Sequence, residues 1–271
     1  MSDIIEKIDY FPCGYCTNDI QRIFKGVPKK ERKFYAGVFL LKHKEKGYIL
    51  YDTGYNIKII EKKKLKYWFY TALNPVTLKK EDLINNQLKK IGIRTEDVNF
   101  VVLSHLHPDH IGGMEFFPNT KIILTEECFR EYKNHSFKSL IFREFLPENF
   151  EERLEIIRIN SYDFEFPYIR SHDLFGDGSL LLSSMGGHAE GQGCLYIKEK
   201  NLFLAADVCW GVDLLNLTDK IRFLPKLIQN NFSEYKKGVE ILKELMKNNI
   251  DIIVSHDVPE RIKGILDEKN F

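Results

Sequence analysis

Residues 104–113 read Ser104-His105-Leu106-His107-Pro108-Asp109-His110-Ile111-Gly112-Gly113. The chain holds only eight histidines in 271 residues, and three of them fall in this stretch. Residues 98–103, apolar but for Asn99, run directly into it and are predicted to form a buried strand. His105 and His107 stand two apart in extended chain, so both rings can point the same way. Pro108 stops that extension from simply continuing. Asp109 and His110 then turn the other way, and Gly112-Gly113 lets the following backbone pack closely. Imidazoles and carboxylates without a thiolate pair are metal-ligand types. One short loop can therefore serve two adjacent metals.

Working outward, other predicted strands end on similar residues. Residues 32–41 and 48–51 read as a hairpin around the charged turn 42–47, and the second strand ends at Asp52-Thr53-Gly54. Residues 179–184 lead into Met185-Gly186-Gly187-His188. Residues 194–197 and 202–206 form another hairpin whose second strand ends on Asp207, and 250–254 ends at Ser255-His256-Asp257. A helical period marks 82–91, and an amphipathic helix is expected over 233–247 with Ser233 as N-cap. Segment 56–80 reads as an irregular or helical insertion, 133–155 carries no assignable pattern, and a polar, aromatic linker reaches to about residue 175. The expected fold class is α/β: two mixed sheets packed face to face with helices outside. No linker is long or polar enough to separate one domain from another. Residues 1–271 are expected to form a single domain, with insertions near 56–80 and 133–155.

Composition narrows the function. Lys and Arg number 40 against 39 Asp and Glu, a net charge of +1, so nucleic acid is not an expected partner. No apolar run approaches the roughly 20 residues that span a bilayer, and the N-terminus lacks a signal-peptide pattern. The expectation is a cytoplasmic protein with no membrane partner. Five scattered cysteines, Cys13 and Cys16 among them, make a poor disulfide framework and read as free or packed thiols.

His105-x-His107-x-Asp109-His110, followed in order by His188, Asp207 and His256 and preceded by Asp52-Thr53-Gly54, resembles the metallo-β-lactamase superfamily. The resemblance covers about residues 35 to 257. The Asp-Thr-Gly-Tyr segment, the insertion before the histidine-rich strand and the late Ser-His-Asp look most like the N-acyl homoserine lactonase group. It implies an αββα sandwich. It also implies that His105, His107 and His188 hold one metal, that Asp109, His110 and His256 hold a second, and that Asp207 bridges them. Two divalent metals would be the cofactors, zinc the favoured identity, with iron, manganese or cobalt as alternatives. Such a pair would lower the pKa of a shared water toward ~7, supplying a hydroxide able to attack a carbonyl or phosphoryl centre. Asp52 would orient a ligand or that water through a hydrogen bond.

The implied activity is cleavage of a small ester or lactone, with a small-molecule substrate. A homodimer is left open. In the lactonase group a Tyr commonly lies three residues after the bridging Asp, where this chain has Trp210. An indole N–H can donate a hydrogen bond but cannot exchange a proton as a phenol can, so a pocket wall is the favoured role for Trp210. A thioesterase of the glyoxalase II type or a phosphodiesterase on the same site is the alternative. A metal-binding sensor ranks lower, and so does a di-iron redox protein, since such members usually carry a Glu where this chain has His107 and a flavin domain that does not fit in 271 residues. His43, His135 and His172 are expected not to be ligands, and Asp257 is as readily structural as functional. Tyr10-Phe11, the aromatics of 67–70 and Phe137, Phe142 and Phe145 are candidates to line an apolar pocket, with core or lid packing favoured for each.

Overall fold

A computed structural model describes residues 3–134, 136 and 139–270 of the chain. Among them two sheets form. The first holds β1 (Ile5–Asp19), β2 (Glu31–His43), β3 (Gly47–Tyr51), β4 (Val76–Thr77), β5 (Val98–Val102), β6 (Lys121–Thr125) and β7 (Leu154–Ile157), in the order β4-β1-β2-β3-β5-β6-β7. The second holds β8 (Ser161–Tyr162), β9 (Arg170–Asp173), β10 (Leu180–Met185), β11 (Gln192–Ile197), β12 (Leu202–Leu204) and β13 (Asp251–Ile253), in the order β13-β12-β11-β10-β9-β8. Both sheets mix parallel and antiparallel pairs.

Alternation along the strands builds four layers. In β2, Val38 and Leu40 join the apolar cluster of Ile84, Leu88 and Ile111 from the helices on that side, while Phe39 and Leu41 turn to the other sheet. Leu180, Leu182, Leu195 and Ile197 meet them there. Leu181 and Tyr196 point the opposite way, onto Tyr235, Val239 and Leu242 of the Phe232–Lys247 helix. Removing these side chains from water is what holds the layers together. The result is the αββα sandwich read from the sequence.

Strand direction then positions the site. β10 and β12 are each antiparallel to β11, and β13 is parallel to β12, so β10, β12 and β13 finish at one edge. In the other sheet β3 and β5 run parallel. Backbone bonds clip the two sets of ends together. The Ser104 carbonyl accepts from the Gly193 N–H at 2.7 Å, and the Ser255 carbonyl from the Gly37 N–H at 3.1 Å.

Several elements depart from expectation. β1 runs 15 residues although no strand pattern marks it in the sequence. Pro12 and Gly14 look like interruptions; in the fold they mark a register shift between Pro12 and Tyr15, with Gly14 at φ +89°. β8 and β9 lie in the expected linker; the insertion at 56–80, read as irregular or helical, does contain the helices Lys58–Glu61 and Leu65–Leu73. Asn231, not Ser233, caps the long helix: its side chain accepts from the N–H groups of Ser233 and Glu234. Where described, 133–155 holds short turns at Arg143–Phe145 and Glu151–Arg153; His135 and Phe137 lie outside the described residues. His43 closes β2 as a buried residue, with Nε2 3.0 Å from Asp177 and Nδ1 accepting from two turn amides. His172 is exposed on β9. All five cysteines are free and buried. No helix among the described residues is long and apolar enough to cross a membrane.

Candidate metal centre

Each singled-out residue sits just past the end of a strand: Asp52 after β3, His105 after β5, His188 after β10, Asp207 after β12 and His256 after β13. His107 caps the helical turn Pro108–Ile111, with Pro108 at its first position, where a missing N–H costs nothing. The turn carries Asp109 and His110 off the line of the strand. Asp52 and Ala206 both adopt left-handed backbone, at φ 63° and 44°. That conformation is costly for residues with a Cβ, and here it turns the chain sharply at the site.

The side chains gather into two adjoining groups, His105, His107 and His188 in one and Asp109, His110, Asp207 and His256 in the other. In the first, His107 Nδ1 lies 3.0 Å from His105 Nε2 and 3.0 Å from His188 Nε2. In the second, Asp109 Oδ2 is 3.7 Å from His110 Nε2 and 3.8 Å from His256 Nε2. Asp207 touches both. Its Oδ2 is 2.8 Å from His256 Nε2 and 3.3 Å from His188 Nε2, and its Oδ1 is 3.5 Å from His110 Nε2. All seven side chains are buried.

The far sides of the rings are held by other groups. His105 Nδ1 meets Ser104 Oγ at 3.0 Å, and His110 Nδ1 meets Asp52 Oδ2 at 2.8 Å. His188 Nδ1 meets Gln229 Oε1 at 3.0 Å, and His256 Nδ1 meets the Tyr35 carbonyl at 2.7 Å. Such contacts fix ring orientation and leave the inner nitrogen free to bind a metal. Burial pushes the His105, His107 and His188 imidazoles below their ordinary range. They are therefore held neutral, the form that offers a lone pair. Burial would lower His110 too, but Asp52, Asp109 and Asp207 outweigh it and hold it well above. Burial alone would raise Asp207, yet His256 and His110 keep its carboxyl well below the usual range.

These residues fit a metal centre. His110 Nε2 and Asp207 Oδ1 are buried and have no hydrogen-bond partner among the described residues, although both face the cluster. Leaving such atoms unpaired costs about 1–3 kcal/mol each, and cations would satisfy them. The 3.0 Å spacing of the histidine nitrogens is also near the ~3.3 Å between ligands of a tetrahedral shell with 2.0–2.1 Å bonds.

Asp52 is the anchor of one side. Its Oδ1 accepts from the Ser104 N–H at 2.8 Å, and its Oδ2 from Ser104 Oγ at 2.8 Å while facing His110. Asp52→Asn would turn an amide N–H₂ toward one of these donors. Metal affinity is expected to fall roughly 10–100-fold. Competition with a chelator measures it, and unchanged affinity would remove Asp52 from this role.

Other candidates are placed differently. Trp210 is nearly buried, its ring 6.1 Å from Tyr235 in the cluster under the long helix. Phe11, Phe142 and Phe145 are core residues, and Tyr67 stacks on Phe145 at 5.6 Å. Tyr10 leans on Phe39 at 5.3 Å. Asp257 is structural: it accepts from the N–H groups of Val212 and Val254 and from Arg261. Residues given no role from the sequence are Ser104, Gln229 and the Tyr35 carbonyl. Ser104 adjoins His105 and carries a visible signal; a Gln 41 residues from His188 and a main-chain oxygen carry none.

Residues 34–256 match the family described as the Metallo-beta-lactamase superfamily. An N-acyl homoserine lactonase of Bacillus thuringiensis is 26% identical over 266 residues, covering 94% of this chain and 95% of the relative. The N-acyl homoserine lactonase AttM of Azorhizobium caulinodans is 25% identical over 228 residues, covering 81% and 80%. Among solved structures, an N-acyl homoserine lactone hydrolase with N-hexanoyl-L-homoserine at its catalytic metal center superposes with a TM-score of 0.74. It is 21% identical and covers 96% of this chain and 97% of its own. The dizinc quorum-quenching lactonase AidC gives 0.65 at 18% identity, covering 94% and 92%.

Proposed function

The chain belongs to the metallo-beta-lactamase superfamily, and on that premise we propose a dinuclear hydrolase that opens a small ester or lactone, as its lactonase relatives do. One observation carries the reading: two donor groups adjoin, and Asp207 reaches into both. His105, His107 and His188 would hold one metal, and Asp109, His110 and His256 the other, with Asp207 shared. Bound metals would supply Lewis-acid polarisation of the substrate oxygen and acidify a water.

The chain's own residues do the positioning. Ser104, Gln229 and the Tyr35 carbonyl hold the rings, and Asp52 ties the β3 end to the β5 end through Ser104. A phenol other than one at position 210 feels the charge of Asp109 and Asp207: Tyr70, on the Leu65–Leu73 helix. The Tyr70 hydroxyl lies 3.4 Å from that of Tyr55, and burial together with Asp109 keeps it protonated, well above the ordinary range. It can donate a hydrogen bond to negative charge developing on a substrate oxygen. Trp210, packed against Tyr235, is a wall. We take residues 1–271 as one catalytic unit, with 56–80 as the insertion that brings Tyr70 in.

A panel of lactones, thioesters, phosphodiesters and β-lactams, assayed with and without chelator, tests the proposal. Lactone or ester turnover should dominate, vanish with chelator and return with zinc. Turnover of the phosphodiester alone would overturn the lactone reading, and full activity in metal-free protein would overturn the mechanism.

A further inference from the structure

Apolar surface is left uncovered on two segments that flank the site. On the Leu65–Leu73 helix, Leu65, Trp68, Phe69 and Leu73 are each half or more exposed. On 223–228, Phe223, Leu224, Leu227 and Ile228 are about half or more exposed. The first helix carries Tyr70, and the second segment leads straight into Gln229, which holds His188.

A ribbon of backbone joins them. Thr17 N–H donates to the Pro75 carbonyl at 3.0 Å, beside the end of the first helix. Lys25 N–H donates to the Lys220 carbonyl at 2.7 Å, and Arg222 N–H to the Ile23 carbonyl at 2.8 Å. This connecting ribbon is basic: Arg22, Lys25, Lys29, Lys30 and Lys33 are all exposed. None of these five makes an ion pair among the described residues.

Charge is strongly segregated onto this rim. Segments 19–33, 58–73 and 218–228 contain fourteen Lys and Arg against four Asp and Glu, a formal +10. The whole chain is +1, so everything else carries −9. Including Glu115, Glu144 and Asp213, which pair with Lys58, Lys64, Lys66 and Arg32 of the rim, still leaves +7. Trp, Phe and Leu beside lysine runs, on segments too short to span, are the composition of an interfacial contact.

We propose that this rim docks on an anionic lipid surface, with Trp68, Phe69, Phe223 and Leu224 entering the headgroup boundary and the basic ribbon facing lipid phosphates. Charge decides the occupant. A second copy seated face to face would set +10 against +10, whereas an anionic bilayer is complementary to both features. An interfacial contact needs neither a spanning helix nor a signal segment, the two features whose lack makes a membrane partner unexpected.

The test is co-sedimentation of the full chain with vesicles of phosphatidylcholine, with or without one quarter phosphatidylglycerol. Binding should be at least about tenfold tighter to the anionic vesicles, and weaker at high salt. Trp68 emission should shift to the blue on binding, and Trp68→Phe should remove that shift. Lys25→Glu/Lys29→Glu/Lys30→Glu should lose anionic binding by at least about tenfold while keeping its circular dichroism. Should that variant not fold, Leu224→Asp/Leu227→Asp, on the other arm, should lose binding instead. Equal binding to both vesicles, no binding, or binding unchanged in a folded variant would overturn the proposal. So would a concentration-dependent dimer dispersed by the same substitutions, which would make the rim a self-interface.

Discussion

Asp207→Ala should lose metal and hydrolytic activity together. Asp207 lies between the two donor groups, 2.8 Å from His256 and 3.3 Å from His188 through one oxygen and 3.5 Å from His110 through the other. No other carboxylate within the donor groups reaches both sets of histidines. Its removal takes away part of the charge that, with Asp52 and Asp109, holds His110 and, with Asp109, holds His256 above the ordinary range. Metal content should fall below one ion per chain. Activity should drop about a thousandfold or more, the several kcal/mol that metal catalysis contributes. Elemental analysis of purified protein and kcat/KM on the best substrate of the panel measure the two losses. His172→Ala, on an exposed position of β9, should change neither. An Asp207→Ala protein that keeps two metals and full activity would sink the proposed centre.

What could be read from the sequence, and what could not, follows from where the information sits. The His105 to His110 spacing encodes its own geometry, because a strand, a proline and one helical turn are local events. The strands before Asp52, Asp207 and His256 are legible since short unbroken apolar runs mark their extent, and the polar residues after each run mark its end. β1 was hidden by Pro12 and Gly14, whose register shift is stabilised by pairing with β2 rather than by anything local. The capping of the long helix by Asn231 depends on a two-residue difference in boundary that helical periodicity does not resolve. The holders of His188 and His256 were invisible for a different reason. Gln229 is distant in sequence, and the Tyr35 carbonyl is chemistry that every residue shares. The basic rim was hidden by the near-zero net charge, which averages a segregated surface to nothing.

Gly112→Ala should destabilise the fold by about 3–5 kcal/mol, in the range of severe overpacking. A Cβ at Gly112 would stand 2.2 Å from the Asn56 nitrogen, 2.4 Å from the Tyr55 carbonyl carbon and 2.5 Å from the Gly54 oxygen. All three are backbone atoms, so no side chain can swing aside. The same loop is stitched to the helical turn by short bonds. Gly112 N–H donates to the Gly54 carbonyl at 2.8 Å, Thr53 N–H to the His110 carbonyl at 2.8 Å, and Asn56 Nδ2 to the Gly112 carbonyl at 2.7 Å. Relief of the clash must therefore separate the segment after β3 from the turn that carries Asp109 and His110. That separation pulls Asp52 from His110, so metal affinity should fall along with stability. Gly264→Ala is the contrast, since a Cβ there meets nothing within 4 Å in the middle of the Pro259–Lys269 helix. It should be neutral or stabilise by about 0.5–1 kcal/mol. Urea unfolding midpoints of the two variants should move in opposite directions or differ widely. If Gly112→Ala unfolds at the same urea concentration as Gly264→Ala, close backbone approach is not what builds this side of the site.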